Sequence, residues 1–298
     1  EGFPRRQIQL WVAAPAGGPT DVGARIVASI AEKELGQPMV VVNKPGAGGQ
    51  VGLTEFSRQK PDGYNIGFMF LPGVNSIVLD PERKAVFTMD DFTPLINQVL
   101  DPGVIWVKGD SPYKTLDDLV QAARKDPGKV TACTTGILGD DHLAILMLEE
   151  AAKVKFRIVH LEGAAGQLTA ILGGHVESAF DNVGSVAKRV KSGEVRVLAT
   201  MDPERSKFIP DAPTTKELGY PSVVSNSTRG IVAPKGLPAP IAQKLRAALR
   251  KAMEDPEHIR RMEETGLALK LLEGDDYAKY IKDIHVMTAK YIEVSKRQ

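Results

Sequence analysis

Unbroken apolar runs alternate with stretches of helical period along the chain. Residues 8–14 read as a buried strand, and Val22, Ile26, Val27, Ile30, Ala31 and Leu35 recur at helical spacing before Gly36. The unit repeats: residues 39–42 predict a strand, a short helix follows, and residues 64–70 predict another strand after the Asp62-Gly63 turn. These strands are continuously apolar rather than alternating, as parallel strands covered on both faces are. The pattern predicts a doubly wound α/β unit.

Asp101-Pro102-Gly103 reads as a turn that opens a second series. Strands are expected over residues 104–107, 130–133, 157–160, 176–180 and 195–200, and helices over 140–153, 167–172 and 186–192. A further helix starts at the capping box Thr115-Leu116-Asp117-Asp118. Residues 234–240, with three prolines and a glycine, forbid regular structure, and helical patterns follow over 241–253 and 275–296. Two α/β lobes are expected, the first made of residues 1–103 and 226–298 and the second of residues 104–225.

Length and composition support that division. At 298 residues the chain reaches the size at which a single core stops growing, and 43% hydrophobic with 25% charged residues is ordinary for a globular protein. The net charge of +1, with Lys and Arg scattered, argues against a nucleic-acid surface. One cysteine, Cys133, excludes an internal disulfide and a multi-cysteine metal site, and its apolar surroundings mark a core residue rather than a nucleophile. The chain opens at Glu1 without a secretory leader, so a leader is either absent or already removed.

The candidate chemistry lies in loops at strand ends. Residues 15–21 and 43–49 each place glycines between a strand and a helix, where exposed backbone and the free N–H groups of a helix start suit a carboxylate or phosphate. For Gly46 to Gly49 a structural turn is the simpler reading. Thr134-Thr135-Gly136, Gly163-Ala164 and Asp181-Asn182 stand at comparable strand ends, beyond which ligands of open α/β sheets bind. Gly46-Ala47-Gly48 misses the dinucleotide fingerprint because Val51 stands where the third glycine belongs. No P-loop, nucleophile elbow or zinc-protease motif occurs, and His142, His160, His175, His258 and His285 are scattered. No acid/base pair converges by spacing, so an enzyme acting on a carboxylate or nucleotide is the weaker alternative.

The ordered set of residues 15–21, 43–49, Asp62-Gly63-Tyr64, Asp91-Phe92-Thr93-Pro94, 213–221 and 233–236 resembles the tripartite tricarboxylate transporter solute receptors, or Bug proteins, over nearly the whole chain. The resemblance implies a Venus-flytrap fold of the type II periplasmic binding protein kind, with two doubly wound lobes and a cleft between them. It implies a monomeric periplasmic receptor, its signal peptide removed, that hands a small organic carboxylate to membrane transporter subunits without catalysis, metal or cofactor. A C4 dicarboxylate such as malate, or citrate, is the expected ligand; a sensor subunit of a signalling system would bind alike. Carried across, the pattern puts the ligand against Ala16, Gly17, Gly18, Thr20 and Asp21 and against Thr134, Thr135, Gly136 and Gly139. Asp21 is expected to cap its helix or hold water rather than touch an anion. Leu71 is a candidate for setting ligand length. Gly163, Ala164, Asp181 and Asn182 complete the expected set. Ser227-Thr228-Arg229-Gly230 departs from the aromatic pair that relatives carry before this glycine, which makes Arg229 the candidate for a distal carboxylate. Gly-Ser is replaced by Leu138-Gly139, and an aromatic-Lys pair by Leu161-Glu162, which adds weight to Arg229.

Overall fold

A computed structural model describes residues 2–161 and 163–297. The chain forms two compact units: Glu1–Leu100, Thr228–Thr265 and Leu269–Met287 make the first, and Asp101–Ser227, Gly266–Ala268 and Thr288–Gln298 the second. The C-terminal region, expected whole in the first lobe, is therefore divided. In the second unit Lys290 and Tyr291 bond Glu150, at 3.3 and 2.9 Å, which fixes the chain end there.

In the first unit, β1 (Ile8–Val12), α1 (Pro19–Leu35), β2 (Met39–Asn43), α2 (Gln50–Ser57), β3 (Asn65–Leu71) and α3 (Gly73–Leu79) follow in order. β1 pairs in parallel with β2 on one side and β3 on the other. In the order 2-1-3 the connection leaving β1 runs toward β2 and the one leaving β3 runs the other way, toward β4, which makes the β1/β3 gap a topological switch point. The first part of β4 (Phe92–Lys108) also belongs to this unit.

The second unit repeats the order. After the end of β4 come α4 (Leu116–Lys125), β5 (Thr131–Thr134), α5 (Asp140–Ala152), β6 (Arg157–His160), α6 (Gly163–Leu172), β7 (Ser178–Asn182), α7 (Val183–Lys191) and β8 (Val195–Thr200). β5 pairs in parallel with β6 and β7, so its switch point is the β5/β7 gap. The remaining elements are β9 (Asn226–Pro234), α8 (Ala239–Glu254), α9 (Pro256–Glu264), β10 (Leu269–Glu273) and α10 (Gly274–Lys296).

The α/β class predicted from the run pattern holds, with antiparallel strands added to each parallel trio. β9 pairs antiparallel with β3 and β10 with β4 in the first unit; β7 and β8 pair antiparallel with β4 in the second. The expected turn at Asp101-Pro102-Gly103 lies inside β4. Proline's fixed φ suits an extended strand, Gly103 N–H finds the Ser225 carbonyl at 2.8 Å, and Asp101 Oδ1 accepts from Gly184 N–H at 3.0 Å. Capping at Thr115 is as predicted, with the Asp118 carboxylate returning the bond. Among the described residues no helix is long and apolar enough to cross a membrane.

Each unit has its own core. Trp11, Leu53, Phe56, Met69, Leu71, Phe92 and Tyr277 fill the first, with Phe56 stacked on Phe92 at 5.7 Å. Trp106, Cys133, Ile171, Ala179 and Val186 fill the second. β9 enters the first core at Gly230, where an added Cβ would stand 2.4 Å from Tyr277 Oη and 2.8 Å from Asn97 Cα. The Asn97 contact is backbone and cannot swing aside. Gly230→Ala is expected to cost about 1–3 kcal/mol by overpacking, read as a lower urea midpoint; a midpoint equal to that of the parent would remove this account of Gly230.

Candidate functional site

In each unit the loop residues expected from the sequence gather at the switch point, where β1 and β3, or β5 and β7, end. Both loops lead into a helix through a glycine N-cap in extended conformation. Gly18 has φ −75° and ψ 170°, Gly139 has φ −75° and ψ 173°, and neither helix start has a side-chain cap. The first helical bonds run from Val22 N–H to Gly18 C=O and from Leu143 N–H to Gly139 C=O. Thr20 and Asp21 in one unit, and Asp140 and Asp141 in the other, therefore have N–H groups outside the helical ladder, with the positive helix end behind them.

In the first unit Ala16 and Gly17 are exposed, Gly18 and Thr20 half-buried, and Asp21 buried. Asp21 holds the loop from beneath. Its Oδ2 accepts from Gly17 N–H at 2.8 Å and Arg25 Nε at 2.9 Å, and its Oδ1 accepts from Asn43 Nδ2 at 2.9 Å. Burial pushes this carboxyl up, but the bonds from Arg25, Gly17 and Asn43 prevail and hold it below the usual carboxylate range. Gly17 N–H is thus spent on the protein's own acid. Asp21 neither caps through the N-cap position nor faces outward; it braces the turn.

The second glycine loop is shaped by close approach. A Cβ on Gly49, whose φ is +99°, would stand 2.6 Å from the Phe70 ring and 2.9 Å from Ala13 O, and one on Gly52 would meet Lys44 O at 2.3 Å. The turn reading of this loop therefore has a steric cause. Leu71 is 1% exposed and packed with Trp11 and Phe56, so it does not line a strand-end surface, contrary to expectation. Arg229 lies opposite Phe70 in the antiparallel β3–β9 register, one step from the end of β3, and is 7% exposed. Directly opposed residues share a sheet face, so Arg229 is on the face of Phe70 and Gly49.

In the second unit the expected carboxylate position is filled by the chain itself. Asp141 Oδ2 accepts from Thr135 N–H at 2.5 Å and from Thr135 Oγ1 at 2.7 Å, while its Oδ1 accepts from His142 N–H. Thr134 is fully buried, and its Oγ1 donates to Gly136 C=O and lies 2.8 Å from His160 Nδ1. Gly136 N–H donates back to Thr134 Oγ1, Leu138 N–H donates to His142 Nδ1, and Gly163 N–H donates to Thr135 C=O. Gly139 is half-buried, whereas Gly163 and Ala164 are exposed at the start of α6. Glu162 lies outside the described residues.

Asp181 and Asn182 close the group at the end of β7. Asp181 Oδ1 accepts from Asn182 N–H at 2.7 Å and Ser185 Oγ at 3.0 Å; Asn182 Nδ2 donates to Asp140 Oδ2 at 2.7 Å and to Asp101 O at 3.2 Å. Burial, and then the Asp140 charge, push Asp141 up to about 7. Burial, followed by the Asp141 and Asp140 charges, pushes Asp181 well above the carboxylate range. The same environment moves Cys133 up to about 12, which makes it an inert thiol, as read from sequence. His142, lowered to about 4 by burial and by His160, is neutral and accepts through Nδ1.

Asp140, Asp141, His142, His160 and Gln167 escaped the sequence reading. Gln167, fully buried, donates Nε2 to both Cys133 C=O and Phe180 C=O, bridging β5 and β7 at the switch point. The signal for Asp141 was an acid in the first helical turn, the same signal that marked Asp21. A cavity of about 590 Å³ in this unit lies by Lys191, Val195 and Phe208, toward the opposite end of β7, and includes none of these residues.

The repeated α/β unit with loops gathered at its switch point defines a solute-binding fold. The description "Tripartite tricarboxylate transporter family receptor" matches residues 23–295, and the chain belongs to that family, which includes the Bug proteins. A UPF0065 protein of Cupriavidus necator is 35% identical, over 93% of this chain and 84% of its own. A TctC solute binding protein from Polaromonas superposes with a TM-score of 0.84 at 29% identity, over 98% of this chain and 99% of its own. MatC from Rhodopseudomonas palustris, solved with bound malate, gives 0.82 at 25% identity, over 97% of this chain and all of its own.

Asp21 provides a test of the loop. Its folded-state proton affinity is depressed, so its stabilisation is present above the unfolded carboxylate value and is lost as pH falls through the lower folded value. Asp21→Ala is expected to cost about 1–3 kcal/mol at neutral pH, with the gap to the parent shrinking below about pH 4. Denaturant melts at both pH values measure it, and a gap independent of pH would contradict the ionised brace.

Proposed function

We propose that the protein is a periplasmic receptor that binds a small organic carboxylate at these strand ends and presents it to the membrane subunits of a tripartite tricarboxylate transporter, without chemical turnover. The ligand class is a C4 dicarboxylate such as malate, or citrate. The observation that carries this reading is the α1 helix start. A glycine N-cap leaves the Thr20 and Asp21 N–H groups outside the ladder, and the Asp21 carboxylate is held beneath the loop by Arg25 and Asn43 instead of facing the anion. Arg229, beside the end of β3, is the residue assigned to a second carboxylate, since a guanidinium meets a carboxylate with two parallel bonds. Family membership supports the transport role, and the malate bound by MatC supports the size and charge of the ligand.

A thermal-shift panel of mono-, di- and tricarboxylates tests this. Ligand at about a hundred times its dissociation constant stabilises by about 2.7 kcal/mol, enough to raise Tm by about 2 °C or more; a panel without a shift rejects the carboxylate reading. Arg229→Ala is expected to weaken a dicarboxylate about 10–100-fold, the worth of a charge-assisted pair, and a monocarboxylate of equal length by much less. Calorimetric titration of both ligands decides, and equal losses would remove Arg229 from the distal role.

A further inference from the structure

The two carboxyl oxygens of Asp181 differ sharply in what surrounds them. Oδ1 takes two donors, the Asn182 N–H and the Ser185 hydroxyl. Oδ2 has no hydrogen-bond partner among the described residues and is not among the side-chain oxygens sealed from solvent, although the residue as a whole is 5% exposed. The position is the carboxyl end of β7, at the switch point of the second unit.

The charges that raise this group are Asp141 and Asp140, both from α5. Asp101, from β4, bonds Gly184 N–H in the helix that Asp181 precedes. The imidazoles of the neighbouring turn, His142 and His160, are both moved toward the neutral form by burial, and the Cys133 thiol is held protonated. Ionised carboxylates crowded at the same strand ends repel an anion and one another. A proton on one of them relieves both conflicts. The hydrogen-bond pattern selects the atom, because an oxygen that accepts two bonds acts as the carbonyl of a neutral acid and leaves its partner as the hydroxyl.

We propose that Asp181 is a ligand-binding residue that meets the solute's carboxylate as a neutral acid, donating Oδ2–H to it while Oδ1 stays fixed by Asn182 and Ser185. The inference rests on the reading of the chain as a carboxylate receptor. No bond to carbon changes; the proton remains on Asp181, and a receptor that has lost it must take one up as the anion binds. Affinity is therefore level below the Asp181 titration in the free protein. It falls above that point by up to about tenfold per pH unit, since ionised Asp181 offers a repelling lone pair in place of a donor.

The experiment is calorimetric titration of malate, and of citrate in parallel, from about pH 6 to about pH 10, on the parent, Asp181→Asn and Asp181→Ala. Asparagine keeps a carbonyl for Asn182 and Ser185 and places a permanent N–H donor where the hydroxyl stood. The expected result is a parent affinity that falls tenfold or more across the range, an Asp181→Asn affinity that changes less than about threefold, and an Asp181→Ala affinity at least tenfold weaker than the parent at the low-pH end. A parent profile that is flat overturns the proposal. So does a fall that persists in Asp181→Asn, which would assign the proton to Asp141. Should Asp181→Asn fail to fold by circular dichroism, the parent profile decides alone. Failure of every carboxylate to bind the parent at any pH defeats the receptor reading itself, an outcome distinct from binding that ignores pH.

Discussion

A helix that starts on glycine has no N-cap side chain with which to occupy its first N–H groups, and α1 and α5 share that constraint. An N-cap serine or aspartate would place an oxygen over the second or third N–H and leave nothing for a solute. Gly18 and Gly139 remove that competitor, and both adopt nearly the same extended conformation. The loop before each helix must then be held by something other than a cap. In both units the answer is an acid in the first turn that reaches backwards: Asp21 to Gly17 N–H, and Asp141 to Thr135 N–H.

One device thus has two electrostatic outcomes. Arg25 and Asn43 reach Asp21, so its negative charge is spread over three donors, Gly17 N–H among them. Asp141 is matched by two backbone N–H groups and a hydroxyl but, among the described residues, by no cation, and it shares its surroundings with Asp140 and Asp181. The first unit holds its acid ionised, and the second raises its acids toward the protonated form.

Much of this was legible in the sequence, for identifiable reasons. β1 and β3, largely buried, show as continuous apolar runs, because strands covered on both faces have no polar side to display. The strand-end loops show through their glycines and threonines. β4 was cut at Asp101-Pro102-Gly103 because composition marks those residues as a turn, while their bonding partners, Ser225 and Gly184, are distant in sequence. β9 was missed for a related reason: Asn226-Ser227-Thr228-Arg229 is polar, and only its pairing with β3 makes it a strand. Leu71 was misplaced because an apolar residue at a strand end can face core or solvent with the same spacing. The division of the Asp141 bonds, and the loss of Gly17 N–H to Asp21, are contacts between side chain and loop that no period encodes.

Asp181 shows why a site residue can also be a structural one without conflict. A buried aspartate at the end of a strand, just before a helix, has an evident use in accepting from the next N–H and from the hydroxyl a turn later, and Oδ1 does this. An aspartate chosen for that use alone would be cheaper to bury as asparagine or threonine, since neither asks the surrounding carboxylates to tolerate another acid. Retaining an acid amid Asp101, Asp140 and Asp141 makes physical sense when the second oxygen has its own task, and a neutral hydroxyl at the strand end is the form of that oxygen compatible with both the cluster and an anionic solute.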